Sequence, residues 1–280
     1  MLSPQATERI AMLRQTIHRL EGGGGVGQAD AWSTVPFGHA GADRATGGIA
    51  CGALHDVVPA GAPDLAAATG FALSMAARLL GTRPTGRRPL WLWIRQDMAR
   101  REAGEPYGPG LAGLGLDPAG LVSVLATDTE DVLRAAEEGL KARVFAAVLI
   151  EPWGNDKALD LTATRRLALI AGETGATGLL LRSGGMEMPG SVATRWCIRA
   201  APSRTPAGGH PGAPVYDAEL TRNRRGMTGR WSMEWNCDDR RFEPASADQG
   251  RALSRRLAAG PGDRAAPPAR QETGAVIAFR

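Results

Sequence analysis

Apolar positions change their spacing three times along the chain. Between residues 5 and 20, Ile10, Leu13, Ile17 and Leu20 recur at steps of three and four, which places them on one stripe of a helix that must dock somewhere. The glycines of 22–25 stop that helix, because glycine carries the largest backbone entropy cost and readily turns left-handed. Up to Gly52 the sequence is turn-rich, punctuated by Pro36, Gly38, Gly41, Gly47 and Gly48. From Leu54 onward, short apolar runs alternate with helical patterns. The runs at 54–58, 89–94, 121–125, 144–150 and 178–181 predict strands. Asp64 is placed to cap a helix carrying Leu65, Ala68, Ala72, Leu73, Ala76 and Leu79, and two more helices are predicted over 128–141 and 162–174. Residues 144–150 are apolar at every position, as a strand covered on both faces requires.

Such alternation predicts an α/β fold, mostly a parallel sheet flanked by helices with right-handed crossovers. After Ser191 the texture shifts to hairpins. Residues 193–200, 215–220 and 229–235 read as strands, and Trp231, Met233 and Trp235 alternate with Ser232 and Glu234, which predicts a C-terminal antiparallel extension. Beyond Phe242 the chain turns to Arg, Ala, Gly and Pro, a composition poor at building a core. The organisation that follows is an N-terminal interaction helix (1–21), a linker and lead-in (22–52), an α/β core (53–243) and a C-terminal tail (244–280). Residues 275–279 are apolar again and form a candidate docking peptide.

Composition narrows the chemistry. The 280 residues include 33 basic and 29 acidic ones, a net charge of +4, and only Lys141 and Lys157 are lysines. A balance so modest is not the strong basic footprint of a dedicated nucleic-acid binder. Cys51, Cys197 and Cys237 are odd in number and widely spaced, with no C-x-x-C, which fits thiols in a reducing compartment and no zinc site. Glu8, Arg9 and Arg14 interrupt any secretion-signal core, and the longest apolar runs are strand-sized, so a cytoplasmic protein with no membrane contact is expected.

Several motifs are weak in context. Gly22, Gly24 and Gly27 satisfy G-x-G-x-x-G, but they follow a helix instead of joining a strand to one, and read as a linker. The turn at 59–64 sits where a nucleotide-binding α/β protein carries its phosphate loop, yet G-x-x-x-x-G-K-[ST] is absent and no basic residue lies between Arg44 and Arg78. Asp64 would set a negative charge against an incoming phosphate. Glu151, at the end of a buried strand, and Asp97 read as structural carboxylates, because a magnesium ion there would lack its phosphate-loop co-ligand. No G-x-S-x-G is present, the four histidines are scattered, and His55 reads as a satisfied core residue. No catalytic residue, cofactor or metal is therefore expected. Arg222, Arg224, Arg225 and Arg230 flank a turn between two predicted strands, beside Trp231 and Trp235, and are candidates for phosphate or partner contact.

The order of residues resembles one family. Ser33-Thr34 and the stretch from Gly47 to Val58 resemble the lead-in and first core strand of RecA-type recombinases. Asp117-Pro118, Glu137-Glu138, the strand ending in Glu151 and Leu179-Leu180-Leu181-Arg182 follow in RecA order. Leu159-Asp160-Leu161, Arg165-Arg166-Leu167, Thr194-Arg195-Trp196, Pro202-Ser203, Arg222-Asn223-Arg224-Arg225-Gly226, Gly229-Arg230-Trp231 and Glu234-Trp235 look like the ImuA family, RecA-like components of bacterial inducible-mutagenesis cassettes. The resemblance covers roughly residues 1 to 243.

It implies a RecA-like core acting in damage-induced (SOS) translesion synthesis, beside an ImuB-type adaptor and an error-prone DnaE-type polymerase. It further implies that the N-terminal stripe serves self-association or heterotypic docking. Arg182, at the start of the segment in the place of a RecA DNA-binding loop, joins the candidate contact residues, but residues 183–190 carry no basic group. The reading that results is a non-hydrolysing accessory protein with weak DNA contact at most. Its alternatives are an active RecA-family DNA-dependent ATPase and a regulator that blocks RecA filaments.

Overall fold

A computed structural model describes residues 33–82, 88–183, 190–204 and 212–245. The predicted interaction helix, with Ile10, Leu13, Ile17 and Leu20, and the segment 246–280 lie outside the described residues.

The strands are β1 (Thr34–Val35), β2 (Ile49–Ala50), β3 (Leu54–Pro59), β4 (Leu90–Gln96), β5 (Leu121–Ala126), β6 (Phe145–Glu151), β7 (Thr177–Leu181), β8 (Thr194–Ala201), β9 (Val215–Asn223), β10 (Gly229–Asn236) and β11 (Arg241–Pro244). The α-helices are α1 (Ala40–Thr46), α2 (Leu65–Gly81), α3 (Asp97–Ala103), α4 (Gly108–Gly113), α5 (Thr129–Lys141) and α6 (Leu161–Thr174). Nine strands form one sheet in the order β11-β10-β9-β8-β3-β7-β6-β4-β5. Pairing is parallel from β8 through β3, β7, β6 and β4 to β5, and antiparallel from β8 to β11. The protein is thus α/β, with a large, mostly parallel sheet flanked by helices and an antiparallel extension at its C-terminal end.

Period-two alternation inside apolar strands explains how both faces are filled. Trp91, Trp93, Ala147, Leu149, Leu179 and Leu181 meet α2 through Ala68, Phe71, Ala72, Met75 and Ala76. Leu92, Ile94, Val148, Ile150 and Leu180 point the other way, into Val132, Leu133, Ala136 and Leu140 of α5 and Leu167 and Ala171 of α6. Gly139 lets α5 approach closely, since a Cβ there would stand 2.3 Å from Leu92 Cδ2. Caps fix where the two helices begin. Asp128 Oδ1 accepts from Asp131 N at 2.9 Å and Asp160 Oδ1 from Ala163 N at 2.7 Å.

Two local expectations differ from the fold, and a third stretch, given no element above, holds one. Residues 33–52 hold more order than turn signals suggest. β1 and β2 pair antiparallel around α1, and Phe37 and Ile49 enter the main core. Elements of two and seven residues are too short to show a period. The glycine- and proline-rich stretch 104–120 contains α4. Asp64 makes no capping bond to α2; its carboxylate accepts from Ala200 N in β8 at 2.9 Å instead.

Candidate partner and nucleic-acid interface

At the carboxyl end of β3, residues 60–64 close on themselves. Ala60 N donates to Ile198 O at 2.8 Å and Asp64 N to Gly61 O at 2.9 Å, and Ala62–Asp64 form a single 3-10 turn. With its carboxylate on Ala200 N, Asp64 ties this turn to β8. The turn after β3 thus closes tightly around an acidic residue.

The sheet interior carries charge that the sequence does not advertise. Asp56 in β3 is fully buried and accepts from Arg182 Nε at 2.9 and 3.1 Å and from Arg195 Nε at 2.8 Å. Arg182 is only 4% exposed, so it stands inside the fold, apart from the four arginines of the β9–β10 hairpin. Its Nη2 is buried and has no hydrogen-bond partner among the described residues. Gly190 passes close to this cluster; a Cβ there would lie 3.2 Å from Arg195 Nη2 and 3.5 Å from Arg182 Nη2. A second buried pair joins β4 to β6. Glu151 accepts from Arg95 Nε at 2.6 Å and Trp93 Nε1 at 2.9 Å, while Arg95 Nη1 donates to Gly104 O at 2.7 Å. The bonds to Glu151 tie β4 to β6, and the remaining Arg95 donors hold α3 and the residue after it, through Ala99 O and Gly104 O. Asp97, at the surface in the first turn of α3, pairs within its own helix with Arg100 and Arg101, and the Arg100 bond holds its carboxyl below the usual range.

His55 is locked between neighbours. Its Nε2 donates to Ala50 O at 2.9 Å, which leaves Nδ1 to accept from Thr194 Oγ1 at 2.7 Å, and Trp196 Nε1 donates to that same hydroxyl at 3.1 Å. Burial pushes its pKa down to about 4, so the ring is neutral at pH 7.

The hairpin arginines are exposed and structurally anchored. Arg222, Arg224 and Arg225 cluster where β9 ends, and Asn223 fixes the turn through three bonds. Its Nδ2 donates to Ala45 O and Met227 O, both at 3.0 Å, and its Oδ1 accepts from Arg225 N at 3.0 Å. Arg224 N donates to Ala193 O at 2.9 Å. The bond to Ala45 O ties the hairpin turn to α1. Arg230 lies on β10. It forms a bidentate pair with Asp217 on the neighbouring strand, Nε to Oδ1 at 2.6 Å, and that bond holds the Asp217 carboxyl below its usual range. Of the two tryptophans, Trp235 is fully buried and Trp231 packs partly buried against the core, so neither is offered as a free stacking surface.

Among the described residues no group of three His, Cys, Asp or Glu side chains could hold a metal ion, and no helix is long and apolar enough to cross a membrane. No disulfide joins Cys51, Cys197 and Cys237.

Comparison with known proteins settles the lineage. The chain is 34% identical over 200 residues to Protein ImuA of Caulobacter vibrioides strain NA1000 / CB15N, an alignment covering 67% of this chain and 77% of that protein. The chain belongs to the ImuA family. Protein ImuA of Caulobacter vibrioides strain ATCC 19089 / CIP 103742 / CB 15 matches to the same extent. No protein-family model matches the chain. Within this ImuA-family chain, the sequence features that were hardest to place by residue type alone are Asp56 and Arg195. A charged residue inside an apolar strand was their only signal.

Proposed function

We propose that this ImuA-family chain is a non-catalytic, RecA-like accessory protein of damage-induced, error-prone translesion synthesis. It acts through contacts with an ImuB-type adaptor and a DnaE-type polymerase. The observation that carries this reading is the turn after β3. A triphosphate needs backbone amides aimed at it and a lysine for its outer phosphates. Here Asp64 occupies the turn, with its carboxylate bonded to Ala200 N. A scaffold of this kind works by mass action, through a surface of roughly 800 Å² per partner, and need turn nothing over.

DNA contact is secondary in this reading. Arg222, Arg224 and Arg225 form a small exposed basic corner, and Arg230 is already engaged by Asp217. Three or four phosphate contacts give weak, salt-sensitive and sequence-independent affinity. Residue for residue, the corner is equally suited to an acidic surface on a partner protein.

Isothermal titration with Mg-ATP is expected to show no binding heat, while a pull-down captures the ImuB-type adaptor. Saturable ATP binding with turnover would establish the ATPase reading instead. A fluorescence titration with single-stranded DNA is expected to show weak binding that salt abolishes, reduced further in the Arg222→Glu/Arg224→Glu/Arg225→Glu variant. Nanomolar affinity at physiological salt would overturn the accessory role assigned to DNA. Inhibition of RecA strand exchange by the purified chain would favour the filament regulator.

A further inference from the structure

One end of the nine-stranded sheet is open in a way the other is not. At the far end, β11 is four residues long, carries Arg241 and Glu243, and ends in Pro244, features that discourage further pairing. At the near end, β5 reads Leu-Val-Ser-Val-Leu-Ala over six residues, without a charge or a proline. Among the described residues it pairs along its full length with β4 and with no other strand. Its exposed apolar side chains lie on both faces of the sheet, Val122 at 38% and Leu125 at 52% exposure. A long, uncharged, apolar edge is a template for another strand.

The sequence holds a segment of matching character. Residues 275–279, Ala-Val-Ile-Ala-Phe, are apolar at every position and carry no charge. Such a run suits a strand flanked by apolar side chains on both faces, which is what Val122 and Leu125 offer. Reach is ample. From Ala245, the end of the described chain beside β11, 29 residues intervene before Ala275, and they span at most roughly 100 Å. Crossing from β11 to β5 takes eight strand spacings, about 38 Å.

We infer that residues 275–279 of this chain pair with the open edge of β5 as a tenth strand of its own sheet. The pairing covers an edge that would otherwise recruit foreign strands. It is independent of the accessory role proposed above, since an ATPase would need the same protection.

Hydrogen exchange of the full chain against Ile277→Asp tests it. In the parent protein the outward-facing amides of 121–126 are expected to exchange at least about tenfold more slowly than in the variant, at every protein concentration. Amides of β3 and β6 should be unchanged and report that the variant is folded. A cysteine pair, Ser123→Cys with Ala278→Cys, is expected to cross-link within one chain. Equal exchange in parent and variant overturns the inference. So does protection that grows with protein concentration, which would place a second copy on the edge, and so does a cross-link found only between chains.

Discussion

The parallel and antiparallel halves of the sheet solve burial differently. In the parallel half, β7 is buried at all five positions and β6 at six of seven, because helices cover both faces. Charges that enter this region are almost fully enclosed, as Arg95 with Glu151 and Asp56 with its two arginines show. In the antiparallel half, β9 and β10 alternate. Tyr216, Ala218, Leu220, Met233 and Trp235 face an aromatic core, while Asp217, Glu219, Arg230 and Ser232 face water. Apart from its β5 edge, the parallel half is a closed frame, and the antiparallel half has a working surface. The basic corner proposed for phosphate or partner contact lies on the half that can afford exposed charge.

The largest expected effect tests the seam between the halves. Asp56→Ala leaves two buried guanidiniums without their carboxylate, a loss of about 3–5 kcal/mol by analogy with other broken buried pairs. Urea unfolding measures it. A cost below about 1 kcal/mol would mean that water reaches the seam and that the enclosed character of the parallel half stops at β7.

Next in size is the aromatic core of the antiparallel half. Phe242 on β11 is fully buried, with ring centroids 4.8 Å from Trp235, 5.1 Å from Phe71 and 5.8 Å from Phe37. Its backbone N also donates to Phe37 O at 2.9 Å. Phe242→Ala should cost about 3 kcal/mol. Since this ring bridges the edge strand, α2 and the lead-in, amides of 34–50 should exchange faster in the variant while those of β6 hold. Uniform loosening of both halves would show that they do not differ as cooperative units.

Legibility from sequence divides along the same line. Helices α5 and α6 and strands β4, β6 and β7 were readable because apolar continuity and Asp caps are local signals. Alternation at Trp231, Met233 and Trp235 likewise gave β10. What stayed hidden depends on distant partners. Asp64 looks like a helix cap until β8 arrives to take its carboxylate. Arg182 looks like a surface cation until Asp56, 126 residues away, is seen to hold it. The strand β11 follows a polar turn and has only Phe242 to mark it, and β1, α1 and β2 are too short for periodicity. In the candidate site, the hairpin arginines were readable by type and spacing. That Arg230 is paired, and that Asn223 anchors the turn to α1, were not, because both facts depend on cross-strand and tertiary contacts.

A pH-dependent effect of intermediate size belongs to His55, on the parallel side. Folding holds this ring neutral down to about pH 4, whereas in the unfolded chain it titrates near 6.5. Above 6.5 both states are neutral and the histidine adds no slope. Between 6.5 and 4 only the unfolded chain binds the proton, so stability falls by up to about 1.4 kcal/mol per pH unit on acidification. His55→Gln should remove that part of the slope. Unfolding curves at pH 7, 6 and 5 for both proteins check it, and identical slopes would mean that the ring takes up a proton without unfolding.

The smallest expected effect is the most direct contrast with Asp56. Asp217 and Arg230 have the same chemistry as Asp56 and Arg182, and a bidentate geometry besides, but Arg230 is half exposed. Water competes for both groups, so Asp217→Ala should cost less than about 1 kcal/mol at neutral pH. Arg230 holds the Asp217 carboxyl below its usual range, so this contribution is present at neutral pH and disappears as acid protonates the folded carboxylate. Added salt should shrink it as well. Freeing Arg230 has a second consequence, because it adds an unpaired cation to the working face. Single-stranded DNA or an acidic partner should bind the Asp217→Ala variant more tightly, with a steeper salt dependence, if that face meets anions. Unchanged binding would confine contact to Arg222, Arg224 and Arg225 at the end of the hairpin, and leave the Asp217–Arg230 ladder as a device that keeps an open sheet face polar.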